Sequence, residues 1–168
     1  DIFWASGACF FIRKDIFNSL NGFDESFFSH MEEIDLCWRI LKQNAKVRYI
    51  HNSTVYHVGG ATLEYNNPKK TFLNFRNSLI TITKNREKNL LTTLVFKMLM
   101  DGLIGFYYLL NFKFSHFLAI IKAHFAFYLQ IPKLIKQREI TNSSLKNFKS
   151  TFLLSKYLKL KYFDIFSN

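Results

Sequence analysis

The chain has 168 residues, which fits one domain or half a domain with an appendage, and it begins with Asp1 rather than Met, as a piece of something longer would. Hydrophobic residues make up 49% and aromatics 18%, and the two cysteines, Cys9 and Cys37, have neither CxxC nor zinc spacing; disorder, a disulfide scaffold and a zinc module are all disfavoured. The net charge of +11 is uneven: residues 1–63 carry 6 basic and 7 acidic groups, residues 64–168 carry 17 and 5, so the second part calls for an anionic partner.

In chain order, residues 2–12, IFWASGACFFI, read as a buried strand or loop-strand with Gly7 at its centre. Asp15 to Leu20 allows one or two helical turns, stopped by Asn21-Gly22. Glu32 to Lys42 predicts a helix with Ile34, Cys37, Ile40 and Leu41 on one face and acids in its first turn. KVRYI at 46–50 alternates, and TVYHV at 54–58 reads as a second short strand stopped by Gly59-Gly60. A helix follows from about Lys70 to Lys84.

Helical spacing of apolar residues then runs from Leu90 to Leu110 and from Phe114 to Leu129, with Pro132 ending the second helix. The first is long enough to cross a bilayer, but Lys97 and Asp101 near its middle oppose spanning, since a central charge costs roughly 2.5–3.5 kcal/mol. Amphipathic helices lying in the cytoplasmic interface of an anionic membrane fit better; packing against the rest of the protein or another chain is the alternative. Residues 133–168 mix Lys with Phe, Leu and Tyr, and no nucleic-acid-binding motif accompanies them, so nucleic acid is not the expected partner.

The stretch FFSHMEEIDLCWR, 27–39, sets Glu32, Glu33 and Asp35 beside apolar residues. Either these acids complement a helix dipole, or one of them is a base at the mouth of a pocket. ASGACFFIRKDIFNSLNGFDESFFSHMEEIDLCWRI, followed by TVYHVGGAT and FRN, resembles the C-terminal half of an inverting family 2 glycosyltransferase, closest to the rhamnosyl- and galactofuranosyl-transferase-like members. The resemblance covers roughly residues 3–85. It implies an α/β fold, namely a partial GT-A (Rossmann-like) domain over 1–88 lacking its N-terminal, nucleotide-binding half. Membrane-associated helices over 89–132 and a basic, aromatic-rich tail over 133–168 would follow.

The resemblance also implies roles. Transfer of a sugar from a nucleotide-sugar donor to a glycan or lipid-linked acceptor, in surface polysaccharide synthesis, needs a carboxylate to take the acceptor's proton. Glu33 matches that base, although the family more usually has Asp there; Glu32 is its orienting neighbour, and Asp35 is either an alternative base or a partner of Arg39. His57 would complete the shell of a divalent cation, Mn²⁺ or Mg²⁺, held mostly by residues outside this chain, or it is an ordinary hydrogen-bonded histidine. Gly7 and Ala8 would line the acceptor site or simply pack. Gly59 and Gly60 would let backbone approach a ligand, and Arg76 would meet a diphosphate or stand as a helix charge. A fragment without the donor half is expected to be inactive alone. A non-catalytic peripheral membrane module is the other function class.

Overall fold

A computed structural model describes residues 1–57 and 66–138. Their regular structure is helical: α1 (Lys14–Ser19), a 3₁₀ turn (Glu25–Phe27), α2 (Glu32–Lys42), α3 (Pro68–Asn85), α4 (Leu90–Leu110) and α5 (Phe114–Gln137). The expected α/β sandwich is therefore corrected: no strand or sheet occurs among the described residues. Among the described residues one antiparallel bridge, Ile2 to Val47, is all the pairing that 2–12 and 46–50 make, and 54–57 has none. Alternation alone does not make a strand; its N–H and C=O groups need a neighbouring strand to form a ladder, and none lies alongside among the described residues.

The helices begin and end for local reasons. Asn67 caps α3 by accepting from the Lys69 N–H at 2.8 Å, and Pro68 takes the first turn, where its missing N–H costs nothing. α2 starts from Met31 in a left-handed conformation without a side-chain cap, and Glu32, Glu33 and Asp35 place negative charge in its first turn, where it complements the helix dipole. α5 runs through Pro132, which was expected to stop it. The proline costs a backbone hydrogen bond, but Ile131 and Leu134 on either side of it pack into the core, and that burial outweighs the break.

α3 is the spine. Its Thr71 hydroxyl meets His116 Nδ1 near the start of α5 at 2.8 Å, and Arg138 just past the end of α5 donates to the carbonyls of Arg86 and Glu87 just past the end of α3. α3 and α5 thus run parallel, with α4 antiparallel between their ends. Phe75 of α3, Ile104 of α4 and Ile120 and Ala123 of α5 form one core cluster. A second joins Phe27 and Met31 to Leu79, Ile80, Phe127 and Leu134, docking the head of α2 on this bundle. The other side of α2 (Leu36, Cys37, Ile40 and Leu41) packs under α1 and the N-terminal segment.

α4 is inverted relative to a water-soluble helix. Thr93, Lys97 and Asp101 are buried with Ile104 and Gly105, while Leu91, Val95, Leu99, Leu103, Phe106 and Leu110 point outward. Lys97 pairs with Asp101 one turn on, sits 5.0 Å from the Phe75 ring centre, and Asp101 also lies 3.2 Å from His124 Nε2 of α5.

The acidic head of α2 as a candidate site

The segment entering α2 is unusual backbone. Phe28, His30 and Met31 all have positive φ, at 63°, 68° and 79°, which costs a side-chain-bearing residue of order 1 kcal/mol each. Such a loop persists only if its surroundings fix it. Asn77, fully buried on α3, does so: its Nδ2 lies 3.0, 2.8 and 2.8 Å from the carbonyls of Phe27, Ser29 and His30. Arg76 adds Nη2 bonds to the carbonyls of Ser26 and Phe27, both 3.1 Å, and its Nε donates to Asn77 Oδ1 at 2.9 Å.

Two turns on along α3, a second set of side chains holds the same region. Lys84 Nζ reaches Asp24 at 2.6 Å and the Asp35 carboxylate at 3.3 Å, and Asn85 Nδ2 donates to Asp35 Oδ1 at 2.7 Å. Asp35 is fully buried and also accepts from Arg39 Nε at 2.8 Å; the same guanidinium donates to the carbonyls of Leu20 and Gly22. Burial alone would raise the Asp24 carboxyl, but the bonds from Lys84 and Ser26, with the ammonium charge, hold it at about 2.

Glu32 and Glu33 occupy the first turn that this scaffold presents, both partly exposed. Glu32 Oε2 is shielded from solvent with no hydrogen-bond partner among the described residues. Glu33 lies against the N-terminal segment: a Cβ on Gly7 would sit 3.8 Å from the Glu33 Cβ, Cγ and Cδ atoms. That segment is fixed one turn further along α2, where the Ala5 N–H meets Cys37 Sγ at 3.5 Å and Phe3 packs edge-on to Trp38 at 5.2 Å. Burial pushes the Cys37 thiol up, the Ala5 bond opposes this, and the charge of Glu33 adds to it.

The structure thus brings Gly7 to Glu33 and leaves Ala8 exposed beside it. Asp35 points away into the charge network, and Arg76 spends Nε and Nη2 on its neighbour and the loop. His57 is exposed, and Gly59 and Gly60 lie outside the described residues. No group of three His, Cys, Asp or Glu side chains among the described residues could hold a metal ion, so these residues do not by themselves fit the expected cation. Asn77 is the residue that the sequence reading passed over. Its signal was an amide, a poor helix former, between Phe75 and Leu79 on an amphipathic helix.

No family model and no solved structure matches the chain. Curated proteins do match part of it. The N-acetylglucosaminyl-diphospho-decaprenol L-rhamnosyltransferase of Mycobacterium tuberculosis is 37% identical over 54 residues, 32% of this chain and 18% of the relative. The rhamnosyltransferase WbbL of Escherichia coli is 34% identical over 47 residues, 28% of this chain and 18% of the relative. The low-salt glycan biosynthesis hexosyltransferase Agl10 of Haloferax volcanii is 28% identical over 82 residues, 45% of this chain and 25% of the relative. The matches thus span a quarter or less of these relatives, and the chain is similar to glycosyltransferases over part of its length.

Proposed function

We propose that this chain supplies the acceptor-side acids of a family 2 glycosyltransferase that moves a sugar, with inversion, from a nucleotide-sugar donor to a glycan or lipid-linked acceptor. The partial likeness to rhamnosyl- and hexosyltransferases carries the reading. The head of α2 supports it: two adjacent, partly exposed carboxylates, with Gly7 lying against the side chain of Glu33.

In this reading Glu33 takes the acceptor hydroxyl's proton as the oxygen attacks the anomeric carbon, and the nucleoside diphosphate departs from the opposite face. Glu32, with one oxygen shielded from water, stands as its orienting neighbour. Donor-binding residues would lie outside residues 1–168, as would most ligands of any divalent cation that steadies the departing diphosphate. His57 would at most complete such a shell. Residues 1–168 alone are therefore expected to bind no nucleotide sugar measurably.

The inverted face of α4 supports association with the cytoplasmic face of the cell membrane in the same reading. The Lys97–Asp101 pair that argued against spanning turns inward, which leaves Leu91, Val95, Leu99, Leu103, Phe106 and Leu110 without a charge among them. α4 and α5 are each long and apolar enough to cross a membrane. Lys113, Lys122, Lys133 and Lys136 are exposed on or beside α5, where anionic headgroups would meet them. Peripheral or monotopic attachment would bring the acids to a lipid-linked acceptor.

The test is a transfer assay with the intact protein, a panel of nucleotide sugars and a polyprenyl-diphosphate-linked acceptor, read by mass spectrometry and by NMR of the new anomeric centre. Appearance of one inverted glycoside supports the proposal. Vesicle binding with no transfer from any donor would leave the non-catalytic membrane module as the better description.

A further inference from the structure

We propose that Asn77, oriented by Arg76, is a positioning residue that sets where the Glu32–Glu33 pair stands; this rests on the reading of those acids as catalytic. The three carbonyls facing Asn77 Nδ2 belong to Phe27, Ser29 and His30, all within the six residues before Glu33. Between them run the positive-φ residues Phe28 and His30, followed by Met31, the residue on which α2 begins. The direction in which α2 leaves the loop, and so the place of its first-turn carboxylates, follows from these dihedrals.

Arg76 has a distinct part. An amide turned by 180° would set its own oxygen against three carbonyl oxygens. The bond from Arg76 Nε to Asn77 Oδ1 fixes the productive orientation, because a guanidinium only donates. Its Nη2 then grips the carbonyls of Ser26 and Phe27 from the same helix. The guanidinium is thereby assigned to the loop rather than to a donor diphosphate.

A double-mutant cycle in the intact transferase decides this. Asn77→Ala is expected to lower kcat by about 10- to 100-fold, as a displacement of about 1 Å in a reacting group does, with donor KM within about twofold. In a Glu33→Gln background the same change should cost less than about threefold, since the group being positioned no longer reacts. Equal fold-losses in both backgrounds would overturn the proposal and leave Asn77 as a fold staple. Arg76→Gln, at a partly exposed position, keeps the question decidable if Asn77→Ala does not fold. It should lower kcat by a smaller factor, again without additivity to Glu33→Gln, whereas a raised donor KM at unchanged kcat would assign it to the diphosphate and overturn the proposal. If Glu33→Gln alone leaves turnover intact, the catalytic reading itself falls, and this inference falls with it. That result is recognisably different from a cycle in which Glu33→Gln is inactive and Asn77→Ala is additive.

Discussion

At the scale of single residues, the three acids of EEID do different work, and spacing alone could not divide it. Glu32 and Glu33 lie on the open first turn; Asp35, two positions on, rotates inward to Arg39, Lys84 and Asn85. Asp35→Asn should therefore destabilise the fold by about 3 kcal/mol, the usual cost of removing one partner from a buried pair. Thermal melting checks this, and the folded fraction should keep most of its turnover. Asp24 gives a pH signature. Its carboxyl is held near 2 in the folded protein against 3.8 unfolded, so its contribution is complete above about pH 4 and is lost as pH falls toward 2. The stability difference between the wild type and Asp24→Asn should accordingly shrink across that window in acid titrations followed by circular dichroism; a difference constant from pH 5 to pH 2 would contradict the ion pair with Lys84.

At the scale of elements, helical periodicity placed α2 and α4 closely because their apolar spacing is regular and their ends carry turn residues. Periodicity says which residues share a face, not which way the face looks. The apolar stripe of α4 includes Leu91, Val95, Leu99 and Leu103, and it faces outward because the opposite side carries a Lys–Asp pair that had to be sheltered against α3 and α5. Strand readings failed for a related reason: KVRYI alternates as an edge strand would, but pairing depends on another segment that local pattern does not reveal. Two outcomes follow for α4. Asp101→Leu alone should destabilise strongly by leaving Lys97 buried and unpaired, while Asp101→Leu with Lys97→Met should be milder than either single change. Leu99→Glu with Leu103→Glu should leave the melting temperature within a few degrees and abolish flotation with vesicles rich in anionic lipid. Retained flotation would mean that another surface meets the membrane.

At the scale of the whole molecule, the described residues form a helical bundle whose α3 carries two grips on the acidic helix, Arg76–Asn77 at one level and Lys84–Asn85 at the next. The residues of the candidate site were legible in the sequence because they are clustered and polar. The grips were not, because each joins positions about 50 or more residues apart, Asn77 to backbone carbonyls that any sequence supplies and Lys84 and Asn85 to carboxylates whose partners local pattern does not reveal. The account depends most on Glu33 being the group that accepts the acceptor's proton. The direct measurement is steady-state transfer by the intact protein carrying Glu33→Gln, with donor binding followed in parallel by calorimetry. The account predicts turnover lower by about 10²–10⁴ at unchanged donor affinity. Wild-type turnover in a folded Glu33→Gln protein, with activity abolished instead by Asp35→Asn, would contradict it.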